Sequence, residues 1–201
     1  MSRIILASAS PRRRELLTQI GLKFEIMPSQ KEEVIKEQDV TETVMNLAAV
    51  KAMDIYKQLS ETSLEEDILV IGADTVVALD GKILGKPKDE EDAFRMLRFL
   101  QGNTHQVYTG VCLITSEKMQ IFYECTDVVM YSLADEDIRS YIRSGEPMDK
   151  AGSYAIQGLA AVFVEKICGD YNNVVGLPVA SIWQHLMKNK KMAKIAMEHK
   201  E

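Results

Sequence analysis

The apolar positions of this chain fall in short blocks. Their spacing switches between continuous runs and helical recurrence, the pattern of strands alternating with helices. Arg3 to Ala7 is an apolar run that ends in small residues and reads as a buried strand. Leu16, Leu17 and Ile20 then recur at helical spacing. With Ser10 as N-cap, Pro11 at the first helical position and Gly21 as the stop, Pro11 to Ile20 is predicted as a helix. Lys23 to Met27 reads as a second strand, and Thr41 to Leu59 as a helix capped by Thr41. Asp67 to Gly72 is another buried strand; Thr75 to Leu79 continues it or pairs with it, and Asp80-Gly81 signals a hairpin. Asp89 to Gln101 reads as a helix closed by Gly102. Val107 to Thr115 and Gln120 to Tyr131 read as strands joined by a short polar turn. Asp135 to Ser144 is a helix ahead of Gly145, Ala160 to Ile167 a strand, and Pro178 to Asn189 a helix. The end, KNKKMAKIAMEHKE, reads as a solvated helix or frayed tail over about 189–201. Alternation early and adjacent strands later predict an α/β fold, a mixed sheet covered by helices. No internal repeat or Pro- or Ser-rich linker divides the chain, and 201 residues suit a single domain.

Composition narrows the function classes. With 46% hydrophobic residues there is enough for a real core, and the 27% charged residues are ordinary for a soluble protein. The formal net charge of −6 argues against a general nucleic-acid binder, so anion binding must come from local arrangement. Cys112, Cys125 and Cys168 are odd in number and form no CxxC, which fits a reducing cytoplasm better than a disulfide framework or zinc knuckle. Met1-Ser2-Arg3 leads straight into a strand without the features of a signal peptide, and no apolar run predicts a membrane span.

The first concentration of chemistry is LASASPRRRELL, from Leu6 to Leu17. A strand ends, small residues permit close approach, and a helix start follows with Arg12, Arg13 and Arg14 crowded on it. Free amides and the dipole make a helix start attractive to phosphate, and arginine adds a forked donor. Cations there are otherwise unfavourable by some tenths of a kcal/mol each. At about 100° per residue, Arg13 lies near the centre of the stripe set by Leu16, Leu17 and Ile20, with Arg12 and Arg14 on either flank. Arg13 is thus the arginine expected to reach over the sheet edge, and Arg14 the one expected at the surface. A basic patch on an ordinary capped helix accounts for the same residues equally well. The Gly-Lys-Ser/Thr of a P-loop is missing.

In DILVIGADTVV, Asp74 follows the apolar run. A carboxylate there suits a divalent metal or a proton acceptor for water, and also a turn that bonds its own backbone. Thr75 beside it offers a hydroxyl. Lys86 in LGKPKDEEDAF is a phosphate candidate in a rigid loop, whereas Asp89, Glu90 and Glu91 have a sufficient role in complementing a helix dipole. Lys51 interrupts the apolar helical segment NLAAVKAM and either snorkels or points into a charged cleft. Glu32 and Glu33 could supply another metal ligand. In the carboxyl half, DKAGSYAIQG and GDYNNVVGLPV mix glycine with amide, hydroxyl and aromatic groups; Gln157 can pair a donor and an acceptor on a base edge. His105, His185 and His199 are scattered, and no nucleophile–histidine arrangement emerges.

Together LASASPRRRELL, GADTVV, GKPKDEEDAFRML, GNTHQVYTGV, DKAGSYAIQG and VVGLPV closely resemble, in order, the Maf family of nucleoside triphosphate pyrophosphatases, once named for septum formation. The resemblance implies an elongated mixed β-sheet flanked by helices with a cleft between two lobes, related to the inosine triphosphate pyrophosphatase architecture. It implies attack of water between the α and β phosphates, with release of a nucleoside monophosphate and pyrophosphate. Asp74 then matches the proton acceptor and Arg13, Lys51 and Lys86 the phosphate-holding positions. Glu33, with Asp74, matches a site for a divalent cation, Mg²⁺ or Mn²⁺. Arg12, Thr75 and Gln157 match the selecting positions of the branch that acts on dTTP and UTP. The branch acting on 7-methyl-GTP resembles SPWRR, GSDQ and SEG, where this chain has SPRRR, GADT and IQG. The expected partner is a nucleoside triphosphate rather than a nucleic acid or a membrane; a homodimer is left open. A nucleotide-binding regulator of cell division that does not depend on turnover is the competing class.

Overall fold

The computed structural model describes residues 2–31, 39–61 and 67–201. Strands β1 (Ser2–Leu6), β2 (Glu25–Ile26), β3 (Asp67–Leu79), β4 (Lys82–Leu84), β5 (Thr104–Ile114), β6 (Met119–Met130) and β7 (Val164–Cys168) form one seven-stranded mixed sheet. Its order is β2-β1-β3-β5-β6-β7, with β4 paired to β3. The helices are α1 (Pro11–Gln19), α2 (Val40–Ser60), α3 (Glu90–Leu100), α4 (Asp135–Arg143), α5 (Tyr171–Val175), α6 (Val179–Met187) and α7 (Lys190–Glu198). Pairing is parallel for β1 with β2 and β3, and antiparallel for β3 with β4 and β6 with β7. The DILVIG and TVVAL runs are one continuous strand, and among the described residues no helix is long and apolar enough to cross a membrane.

The chain packs as two compact units. The first comprises residues 1–74, 109–124 and 176–201, and the second 75–108 and 125–175. In the first unit, Ile5, Ala48, Ala52, Ile55, Val70 and Cys112 are core residues at 1% exposure or less. Helix α2 lies unusually close to the sheet. A Cβ on Gly72 would meet the Ala48 carbonyl oxygen at 2.5 Å and Ala52 Cβ at 2.7 Å, and one on Gly110 would come closer than 3.0 Å to the Val44 backbone. Val44, Ala48 and Ala52 recur every four residues, so one narrow face of α2 rests on two glycines. The N-cap of α2 is Asp39, not Thr41: its carboxylate accepts from the Thr41 and Glu42 amides, and Thr41 Oγ1 donates to it at 2.6 Å. A carboxylate can accept all three bonds, which a threonine hydroxyl at the cap could not.

The terminal segment read as solvated or frayed is instead a docked helix. Met192, Ile195 and Ala196 of α7 are fully buried, and Asn189 caps it by accepting from the Met192 amide. The Lys23 amide donates to the His199 carbonyl at 2.9 Å, the Glu201 amide to the Gly21 carbonyl at 2.8 Å, and Ser2 Oγ to the Glu198 carboxylate. The lysines of the tail hid an i, i+3, i+4 apolar stripe.

In the second unit, Ala93, Leu97 and Leu100 of α3 and Ile138 of α4 pack with Val107, Val128 and Ala160. Asp80 (φ 50°) and Gly81 (φ 74°) both occupy the left-handed region, as a tight turn joining Leu79 to Lys82 requires. The expected strand at Ala160–Ile167 begins later, at Val164; Leu159–Phe163 winds instead as a 3-10 turn, with the Ala161 amide donating to the Gly158 carbonyl at 3.1 Å. Asn173, inconspicuous among its polar neighbours in GDYNNVVGLPV, is fully buried; its Nδ2 donates to the Val107 carbonyl at 2.9 Å and to Thr126 Oγ1 at 3.0 Å.

His105 is fully buried, its Nε2 lies 2.8 Å from Tyr154 Oη, and its Nδ1 has no hydrogen-bond partner among the described residues. Burial pushes its pKa down to about 4, opposed in part by the charge of Asp127. The folded state therefore binds this proton less readily than the unfolded chain does, and stability falls as pH drops through the window from about 6.5 to about 4. The limiting slope is about 1.4 kcal/mol per pH unit. The melting temperature of the native protein, compared with that of a His105→Gln variant between pH 7 and 5, is expected to fall more steeply.

Candidate active site

The site is built from where β1, β3 and α2 end or approach one another in the first unit. β1 delivers the chain to Ser8 and the start of α1, where Ser10 takes the N-cap position but makes no side-chain cap bond. Instead the Ser10 amide donates to Ser8 Oγ at 3.2 Å. Arg13 is buried and Arg14 exposed, the placement that the helical spacing gives. The Arg13 guanidinium ties three segments together: Nε donates to the Gly176 carbonyl at 2.8 Å, and Nη1 to Ser8 Oγ at 3.1 Å and to the Ala73 carbonyl at 2.8 Å. It thereby fixes the backbone immediately before Asp74. Arg13→Ala leaves two buried carbonyls without this donor and is expected to destabilise the fold by about 2 kcal/mol. A thermal melt checks it, and Arg13→Lys should recover only part, because an ammonium lacks the fork.

Asp74 is 6% exposed, and Lys51 Nζ donates to its Oδ1 at 2.5 Å. Lys51 therefore does not snorkel to solvent. The close seating of Ala48 and Ala52 on Gly72 brings the next residue around α2 within reach of the carboxylate. The contact is both a hydrogen bond and an ion pair, so the carboxylate faces a cation at the end of a nearly closed environment. The first unit thus brings Arg13, Lys51 and Asp74 together; Arg12, half-buried, follows Pro11 at the start of α1.

Thr75, Lys86 and Gln157 belong to the second unit. Thr75 follows Asp74 on β3 and is half-buried. Lys86 is exposed in the loop between β4 and α3, held by the buried Pro87 behind it. Gln157 is exposed on the Ala155–Gly158 turn, which the Gly158 amide closes onto the Ala155 carbonyl at 3.0 Å. Asp89 stands just before α3 as its N-cap, accepting from the Asp92 amide, while Glu90 and Glu91 lie in the first turn where they complement the helix dipole. Glu32 and Glu33 lie outside the described residues. Sequence reasoning missed Ser8, whose hydroxyl receives both Arg13 and the Ser10 amide; its position at the strand end was the available signal.

The sequence profile of the family described as Maf-like protein matches residues 3–189. The chain belongs to the Maf family. A dTTP/UTP pyrophosphatase of Agathobacter rectalis is 55% identical over 94% of this Maf chain and 98% of its own length. One from Thermoanaerobacter sp. (strain X514) is 48% identical over 92% and 96%, and one from Clostridium botulinum (strain Eklund 17B / Type B) 50% identical over 88% and 94%. A solved nucleoside-triphosphatase / dITP/XTP pyrophosphatase from Mycobacterium abscessus is 15% identical, covering 65% of this Maf chain and 73% of that one at a TM-score of 0.38.

Proposed function

We propose that this Maf protein hydrolyses dTTP and UTP to the nucleoside monophosphate and pyrophosphate, clearing them or their modified forms from the nucleotide pool. The observation that carries the reading is the Asp74–Lys51 pair at 2.5 Å beside the Arg13-bound backbone, in a chain about half identical to relatives named for this activity. Asp74 takes the proton of the attacking water as its oxygen closes on the α-phosphorus, and the bond to the bridging oxygen breaks toward pyrophosphate. Lys51, Arg13 and Lys86 oppose the charge that grows on the phosphate oxygens. Arg12, Thr75 and Gln157 select the base, with Gln157 meeting O4 and N3–H of thymine or uracil.

The oxygen donors suit a hard divalent cation. Among the described residues no group of three His, Cys, Asp or Glu side chains could hold a metal by itself. One or two carboxylates plus substrate phosphates is the way Mg²⁺ is commonly bound, and Asp74, with Glu33, would supply them. Such an ion neutralises phosphate charge and lowers the pKa of bound water.

Pyrophosphate release from dTTP, UTP, CTP, GTP and 7-methyl-GTP, with Mg²⁺ or Mn²⁺ and then with chelator, tests this. Metal-dependent release led by dTTP and UTP is the expected result. Release led by 7-methyl-GTP would keep the hydrolase and overturn the base selection. No release from folded protein would favour a nucleotide-binding regulator of division.

A further inference from the structure

The turn that carries Gln157 is held by residues far from it in sequence. At its entry, Tyr154 is buried and its hydroxyl lies 2.8 Å from His105 Nε2 on β5. Within it, Ile156 packs against the core of the second unit, leaving Gln157 facing outward. At its exit stands a carboxylate. Glu146 Oε2 accepts from the Leu159 amide at 3.0 Å, and Glu146 Oε1 accepts from Tyr141 Oη at 2.9 Å. Tyr141 is in turn fixed edge-on against Phe163, with ring centroids 5.3 Å apart.

Gly158 is moulded to this carboxylate. Its backbone (φ −114°, ψ −152°) is extended, so conformational freedom does not explain the glycine. Space does: a Cβ there would come closer than 3.0 Å to both oxygens of Glu146. The two residues after Gln157 are thus committed to Glu146, one through its amide and one through the absence of a side chain.

We propose that Glu146 is a positioning residue for base selection: it clamps the exit of the Ala155–Gly158 turn so that the Gln157 amide is presented in one orientation. The inference rests on the assignment of Gln157 to base selection. Physically, a side-chain amide reads a base edge only if its donor and acceptor both align, and an exposed turn without an anchor would sample several orientations. A displacement of about 1 Å in a positioning group costs up to about 100-fold. Glu146 touches no reacting atom, so its removal acts on KM and on base discrimination more than on kcat.

The test measures kcat and KM for dTTP and CTP in Glu146→Ala, Glu146→Gln, Gly158→Ala, Gln157→Ala and the Glu146→Ala/Gly158→Ala double variant, with a thermal melt of each. Expected is a fall of about tenfold in the dTTP-to-CTP ratio of kcat/KM in Glu146→Ala, mostly through the KM for dTTP. Glu146→Gln should restore most of it, because an amide oxygen still accepts from the Leu159 amide while the NH₂ can donate to Tyr141. Gly158→Ala should lower the ratio alone, by displacing the carboxylate, and add nothing once Glu146 is alanine. A Glu146→Ala protein that melts lower but keeps the ratio would overturn the proposal, provided Gln157→Ala lowers it. If Gln157→Ala leaves the ratio unchanged, the assignment of Gln157 fails and the clamp loses its function with it. Should Glu146→Ala not fold, Gly158→Ala and Tyr141→Phe decide, and an unchanged ratio in both would overturn the proposal.

Discussion

Asp74→Asn is expected to lower kcat for dTTP about 1000-fold, within the range set by loss of a general base. The substitution keeps the shape of a side chain that is 6% exposed, and the amide oxygen can still accept from Lys51 Nζ. What it removes is the capacity to take a proton, and with it the charge that would help hold the divalent cation. Turnover and metal-free binding should therefore separate: pyrophosphate release falls, while calorimetric titration with a non-hydrolysable dTTP analogue in chelator changes little. Turnover near the native rate would take Asp74 out of the chemistry. Binding and turnover lost together, in protein that melts normally, would assign Asp74 to substrate binding. Lys51→Met is the informative companion, because it leaves Asp74 largely buried without its ion partner.

Gly110→Ala should destabilise the protein by about 3 kcal/mol, at the upper end of ordinary overpacking. In a chain of this size, that corresponds to a fall of about 6–12 °C in melting temperature. The added Cβ would meet the backbone carbonyl of Val44, which cannot rotate aside as a side chain could. Helix α2 must lift from the sheet, and Lys51 rides on that helix. The same methyl should therefore also weaken the Lys51–Asp74 pair and lower pyrophosphate release. Differential scanning calorimetry and the pyrophosphate assay read the two effects. A melt within 1–2 °C of the native protein would mean that α2 can move off Gly110 at little cost.

These glycines mark the boundary of what the sequence discloses. Periodicity placed α1, α3 and α4, and helical spacing separated buried Arg13 from exposed Arg14. Asp80-Gly81 announced its hairpin because the turn imposes φ > 0 on adjacent residues. Such features are local. The seating of Val44 on Gly110 joins residues distant in sequence, and no spacing rule connects them. Lys51 was readable as an oddity in an apolar stretch, but its direction depended on how closely α2 sits. Asp39 was overlooked because Thr41 is also a good cap, and only geometry shows the hydroxyl giving its hydrogen to the carboxylate. Glu146 stands eleven residues before Gln157 and bonds beyond it, a pairing that no spacing rule announces.

The docking of α7 against the start of the chain bears on synthesis. Ser2 meets Glu198, and Lys23 meets His199, so β1 and the turn after α1 wait for residues made at the far end of the chain. The second unit, by contrast, has all its residues once Val175 has been added. A chain leaving the ribosome at about 5–20 residues per second therefore holds β1 without its terminal helix until the residues of α7 have been added. Stop codons late in the reading frame, which would look harmless in a frayed tail, instead leave Leu22 and the opening strand uncovered and the truncated product exposed to proteolysis.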